Sequence, residues 1–433
     1  MGAATELADV LRIVGGGGLV TGDAAVAYAV NGVVPIGVAT PMARDVAVRL
    51  VNHARERGWG IVPRGGGTYL EQGFPPERLD LVLSTAKLNR VVDYQPDDMT
   101  VTVEPGMTLA ALGETLATHG QFLPLNPALP SHATVGGTVA AAVAGPWRAG
   151  HGTPRDWVIG LRVLGADGEE VRGGGQVVKN VAGYDLPKLY TGSFGTLGLI
   201  TEVTFKVMPR PEAVGYASVA LRDAAHGEAL LAAVLGSDLQ PSALELTHNW
   251  SADAQPETGR LPWSLVFQFL HAAEAVEWQA RKLAEIAERV GATTERLPER
   301  TGERMLAGLR DLPAGAAFLA RLSTVSGRAA NLAAETLDVA RRNNVQAAVW
   351  AHAATGQVYL AAGEEATPEL ADDLRALAKN SSATCVFPRL PAPLIGQIDP
   401  WGQPGLEIRL LRGIKETLDP TRLFSPGRFV GGL

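Results

Sequence analysis

The sequence predicts an α+β protein: a glycine-rich α/β half over residues 1–212, an antiparallel-sheet cap domain over 213–400, and a C-terminal helix and tail over 401–433. Three observations carry this. Glycine is abundant, 50 of 433 residues, and is concentrated before residue 210. After Met208-Pro209-Arg210-Pro211, long strands alternate with long charged helices and no glycine-rich loop follows, the pattern of a sheet covered by helices. Gly405 to Asp419 is amphipathic and is followed by two turn signals, Asp419-Pro420 and Ser425-Pro426-Gly427.

The elements follow in order. Thr5–Val14 reads as a helix and Val33–Val38 as a strand. Pro41 starts a second helix, with Met42, Val46, Leu50, Val51 and Ala54 at helical spacing and Gly58 as its stop. Ile61-Val62-Pro63 is a buried strand that runs into Arg64-Gly65-Gly66-Gly67-Thr68. Leu79–Leu83 is a strand, and Val91–Val103 is a strand pair turning at Gln95 to Asp98. Thr108 caps a helix that Gly120 ends. Trp157–Val171 is a hairpin turning at Asp167-Gly168, and Leu197–Val207 is a strand. In the cap, Gly215–Leu221, Leu265–Leu270, Ala317–Thr324, Val345–Ala351 and Gln357–Ala361 are strands. Ala224–Leu235, Ala272–Val290, Arg328–Asn343 and Pro368–Lys379 are helices.

Bulk properties narrow the function. An apolar fraction of 46% and a charged fraction of 19% are globular values. A net charge of -7 argues against a nucleic-acid groove. The lone cysteine, Cys385, makes neither an internal disulfide nor a four-cysteine iron–sulfur site, so any such relay sits on a partner. The opening residues lack the pattern of a secretory leader, and the longest apolar stretch, Ala133 to Trp147, is too short to span a bilayer. The expectation is a cytoplasmic protein that meets the inner membrane face through partners.

Four constellations carry chemistry. Pro63-Arg64-Gly65-Gly66-Gly67-Thr68-Tyr69 can turn several N–H groups toward one point, a nest for phosphate, or be a plain glycine turn. It is neither a Walker loop nor a Gly-x-Gly-x-x-Gly fingerprint. Ser131-His132-Ala133-Thr134-Val135-Gly136-Gly137 opens a run of small residues that lets backbone approach a flat ring or a diphosphate, or another helix. In Gly150-His151-Gly152-Thr153-Pro154-Arg155-Asp156, an Arg155–Asp156 pair can order the loop. In VKNVAGYDLPKLYTGSFGTLGLIT, residues 178–201, four glycines punctuate an apolar stretch, with Ile200 offering backbone groups and Lys179, Tyr184 and Lys188 as polar candidates.

In their order and spacing these motifs resemble the FAD-binding proteins of the vanillyl-alcohol-oxidase, or p-cresol methylhydroxylase (PCMH), type, strongly over residues 35–212. The resemblance implies a PCMH-type FAD-binding domain of two α/β subdomains, and a tail that returns to it. It implies non-covalent FAD, held by Pro63 to Tyr69, by Ser131, Ala133, Thr134, Gly136 and Gly137, by Gly152 and Thr153, and by Ile200. Within the family, GGGQVVKNVAGYD (173–185) and the variant Gly192-Ser193-Phe194-Gly195 are similar to the accessory flavin subunits of bacterial glycolate oxidases. That likeness implies a complex with a catalytic flavin subunit and an iron–sulfur subunit, and a small 2-hydroxy acid such as glycolate as substrate.

Related dehydrogenases carry a two-histidine metal run in the cap. Here the matching run keeps His352 but has Tyr359 at the second position, and no Glu-His-Gly follows. The expectation is no metal, with His248, His352 and Tyr359 as the candidate catalytic side chains. His248 is otherwise read as a structural histidine at a strand end.

Overall fold

The computed structural model describes residues 7–175, 184–249 and 262–433. The strands run β1 (Leu19–Thr21), β2 (Gly37–Ala39), β3 (Ile61–Arg64), β4 (Leu81–Ser84), β5 (Val91–Gln95), β6 (Thr100–Val103), β7 (Gln121–Phe122), β8 (Val158–Leu164), β9 (Glu170–Gly174), β10 (Leu199–Lys206), β11 (Met208–Pro209) and β12 (Ala213–Leu221). They continue with β13 (Ala243–His248), β14 (Trp263–His271), β15 (Thr294–Leu297), β16 (Phe318–Ser323), β17 (Ala347–His352), β18 (Gln357–Ala362) and β19 (Thr384–Arg389).

The glycine-rich half contains two main sheets. The first has the order β1-β2-β4-β3, with β2 and β3 both parallel to β4. The helix Arg44–Arg57 makes that parallel crossover possible. It buries Ala47, Leu50, Val51 and Ala54, and Gly58 ends it in the left-handed region at φ 66°. Met42 lies outside this helix and is exposed, contrary to the expected stripe, because the helix starts only after Ala43. The expected strand 33–38 shrinks to Gly37–Ala39 plus a bridge between Val30 and Val33. The second sheet, β5-β6-β10-β8-β9, is antiparallel throughout.

The cap is one eight-stranded antiparallel sheet, ordered β15-β12-β14-β13-β17-β18-β16-β19. Period-two alternation divides its faces. Leu244, Leu246, Val349, Ala351, Val358, Leu360, Ala320 and Leu322 point into a core shared with the helices Ala224–Leu235, Ala273–Arg289, Ala329–Arg342 and Pro368–Asn380. The other face carries Glu245, Trp350, His352, Tyr359 and Arg321, which register brings side by side: Glu245 opposite His352, Trp350 opposite Tyr359, Tyr359 opposite Arg321. Sequence patterning misses β13, β15 and β19, and also the helix Glu299–Asp311. That helix packs Met305 and Leu306 on this second face and seats Gly302 on Tyr216, where a Cβ would lie 2.1 Å from the ring.

The tail closes the molecule. The helix Ile408–Leu418 leads to Phe424, which bridges in parallel to Ile61: Ile61 N–H donates to the Leu423 carbonyl and its own carbonyl accepts the Ser425 N–H, both at 2.7 Å. Buried Lys415 reaches the carbonyls of Thr196 and Phe424 and the carboxylate of Asp419, at 2.6, 2.9 and 2.6 Å.

Candidate functional site

Two adjoining cavities lie where these parts meet. The first is an open cleft of about 730 Å³. One wall is the loop after β3. The chain turns there on three glycines, and no protein acceptor is found among the described residues for the amides of Gly65, Gly66 or Gly67. The glycines are required by packing: a Cβ on Gly65 would lie 2.0 Å from the Thr134 hydroxyl, and one on Gly66 1.8 Å from the His132 carbonyl. The opposite wall is the start of the helix Val135–Ala141, whose N-cap, Thr134, accepts the Gly137 N–H. Gly195, Gly198 and Ile200 close one end, and Arg428 of the tail lines the wall as well. Arg64 Nε is buried without a hydrogen-bond partner, its guanidinium 4.5 Å from the centre of the Tyr28 ring.

The second cavity, about 950 Å³, shares Thr68, Tyr69 and Ala141 with the first; the segment from Ala142 to Arg148, the stretch from Leu309 to Ala314 and one face of the cap sheet supply most of its other walls. Glu245 is fully buried, and its carboxylate meets His352 Nδ1 at 2.8 Å. Burial pushes the Glu245 carboxyl up, and the His352 ring opposes that rise. One proton between these atoms leaves Nε2 as the acceptor of the ring when it sits on Nδ1. Tyr359 stacks on Trp350, centroids 5.0 Å apart. Burial raises its phenol, against the pull of Arg321 and Arg148, so it stays neutral, its O–H donating to Gln357 Oε1 at 3.3 Å. Tyr69 accepts the Ala128 N–H at 3.1 Å and burial likewise raises it, which keeps its own O–H proton for donation.

Four arginines line this second cavity. Arg310 is paired with Asp311 and Arg389 with Glu71. Arg148 and Arg321 have no carboxylate partner among the described residues, and Arg321 Nε is buried with no acceptor. Two uncompensated guanidiniums beside a neutral phenol make a site for a small carboxylate.

Several expected residues fall elsewhere. Pro63 to Tyr69, Thr134, Gly136, Gly137 and Ile200 line the first cavity, while Ser131 and Ala133 sit behind it, exposed and buried respectively. Gly152 and Thr153 line neither cavity. Asp156 does not pair with Arg155; it closes a capping box on Thr153, accepting its N–H at 2.8 Å. His248 is not at the site: it packs on Trp263 at 4.7 Å beyond the last residue of β13 that pairs with β17. Tyr184 is exposed and Lys188 pairs with Asp185, whereas Lys179 and Gly183 lie outside the described residues. Glu245, Arg148, Arg321 and Arg428 went unnoticed. The available signal was a single charge inside an apolar strand, as in Ala243-Leu244-Glu245-Leu246 and Phe318-Leu319-Ala320-Arg321.

Residues 35–174 match the family described as FAD binding domain. The chain is 37% identical over 178 residues to glycolate oxidase subunit GlcD of Bacillus subtilis, a match covering 41% of this chain and 38% of that one. It is 44% identical over 124 residues to glycolate oxidase subunit GlcE of Escherichia coli, covering 28% and 35%. These matches thus span well under half of the relatives' length. Solved p-cresol methylhydroxylase aligns over 98% of this chain and 96% of its own, with a TM-score of 0.77 at 17% identity, which establishes the PCMH-type fold. FAD is the cofactor of this glycine-rich half. The first cavity suits it: unclaimed amides and a buried, unpartnered guanidinium fit a diphosphate.

Proposed function

We propose that this chain is an FAD-dependent oxidoreductase subunit of a glycolate oxidase-like complex, oxidising a small 2-hydroxy acid, glycolate to glyoxylate, and passing electrons to an iron–sulfur partner. The names of the matched relatives support the substrate class and the complex. The observation that carries the chemistry is the second cavity, which opens onto the first through Tyr69 and holds two uncompensated arginines beside the His352–Glu245 pair. Residues 1–212 form the cofactor half in this reading, 213–400 the cap, and 401–433 the returning tail. Pro63 to Tyr69, Thr134, Gly136, Gly137 and Ile200 hold the cofactor. The reading keeps the cofactor non-covalent; among the described residues neither a Cys nor a His lines the first cavity.

When bound, FAD supplies a ring that accepts hydride from the substrate carbon. Arg148 and Arg321 hold the substrate carboxylate. Tyr69 orients it by donating a hydrogen bond, and Tyr359 does so by turning its O–H from Gln357 to the carboxylate. His352 Nε2 takes the hydroxyl proton, while Glu245 holds the Nδ1 proton and steadies the cation that forms. General-base catalysis of this kind contributes about 10²–10⁴-fold.

Because the site is built from this chain alone, a second reading is a dehydrogenase that works without partners. Anaerobic addition of glycolate or D-lactate to the purified FAD-loaded chain separates the two. A flavin that stays oxidised until the partner subunits are added supports the complex. Rapid bleaching of the lone chain makes it self-sufficient. A flavin that never bleaches in the assembled complex leaves only a scaffold role.

A further inference from the structure

Arg428 is 4% exposed and lies on the wall of the first cavity. Its guanidinium donates to the carbonyls of Leu70, of Gln72 at 3.0 Å and of Phe74 at 3.4 Å. All three acceptors are neutral, and no carboxylate pairs with it among the described residues. The other deeply buried cation, Lys415, has Asp419 at 2.6 Å. Burial lowers Arg428 to about 10, so it still carries its charge at neutral pH. An unpaired buried cation is costly, and an apolar residue would pack there at lower cost. The backbone of Arg428 is fixed as well: its carbonyl accepts from Phe74 N–H at 3.1 Å and from Trp401 Nε1 at 3.0 Å.

The placement narrows the role. Of the residues that hold Arg428, Leu70 lines the first cavity and Gln72 the second. The guanidinium is thereby anchored in the wall of the first cavity, on the 70–74 stretch that follows Thr68 and Tyr69, the two loop residues that line both cavities. We propose that Arg428 is a cofactor-contacting residue whose guanidinium stabilises the negative charge that builds on the flavin ring when it accepts hydride. The inference rests on the FAD reading of the first cavity. In the step concerned the substrate C–H bond breaks and an N5–H bond forms on the ring. The hydride electron pair leaves one negative charge on the ring, and the hydroxyl proton goes to His352.

The test compares the wild-type chain with R428K and R428Q, each first melted without FAD to establish folding. The FAD-loaded forms are then titrated with sulfite, which adds to the ring as an anion without turnover, and their two-electron midpoint potentials are measured. Sulfite affinity and potential should fall in the order wild type, R428K, R428Q. R428Q should lose at least tenfold in sulfite affinity and about 30 mV in potential, the equivalent of tenfold for two electrons. R428Q that binds FAD with unchanged potential and sulfite affinity overturns the proposal. If R428Q does not fold, the charge-free R428M carries the test, and values equal to wild type in both readouts overturn the proposal. A wild-type chain that takes up no FAD removes the premise and the proposal together, and shows itself before any variant is made.

Discussion

Glu245 and His352 show how much one residue's meaning depends on the next strand. His352 is visible in the sequence because it begins a recognisable run; Glu245 is an unremarked letter in Ala-Leu-Glu-Leu. Pairing of β13 with β17 puts them opposite each other and turns a buried liability into a hydrogen-bonded pair. The raised carboxyl of Glu245 has a consequence for stability. A group whose folded pKa lies above its free value of 4.5 adds stability that is fully present below 4.5 and lost as pH rises through the folded value. The stability of wild type relative to E245Q should therefore decline as pH is raised from about 4.5, then level off. Urea titrations across that range read it directly, and a difference that grows with pH contradicts the assignment. Among the described residues no group of three His, Cys, Asp or Glu is placed to hold a metal ion.

At the scale of elements, the C-terminal helix and its turn act as a fastener. Lys415 and Asp419 are 4% and 0% exposed, one helical turn apart, and Asp419 also accepts the N–H groups of Leu423 and Phe424 at 2.8 and 2.9 Å. D419A leaves a buried ammonium unpaired, which should cost about 3–5 kcal/mol in chemical denaturation. A loss under 1 kcal/mol would show that water reaches the site. The helix itself was legible from its amphipathic pattern, as were the four helices on the cap sheet, because each has a wide apolar stripe. Central β13 and edge strand β19 were not. β13 carries Glu245, whose partner His352 lies on β17, and β19 carries Pro388 and also Arg389, whose side-chain partners lie outside the strands, so their local pattern looks like loop. The glycine loops were read as close approaches to a ligand, or as plain turns and packing; the approach the structure shows is of loop on loop, Gly65 on Thr134 and Gly66 on His132. Of the second cavity, only Thr68, Tyr69, His352 and Tyr359 were named as site residues from sequence; Arg148 and Arg321 were not, since they come from elements separate from His352.

At the scale of the whole molecule, the cofactor half, the cap and the tail each give walls to one continuous space. A ligand that binds there only in the folded state adds RT ln(1 + [L]/Kd) to stability, about 2.7 kcal/mol at a hundredfold excess over Kd. FAD should therefore raise the melting temperature of the chain in proportion to the logarithm of its concentration, as a thermal-shift series would show. A melting temperature indifferent to FAD counts against the cofactor site. The tail also sets a schedule for biogenesis. Leu70 and the arginine that anchors to it are 358 positions apart. Ribosomes elongate at about 5–20 residues per second, so the first glycine loop emerges roughly twenty seconds to a minute before its last wall is made. Flavin capture should therefore wait until Arg428 has left the ribosome and docked on Leu70, and a nascent chain arrested before that point should emerge colourless.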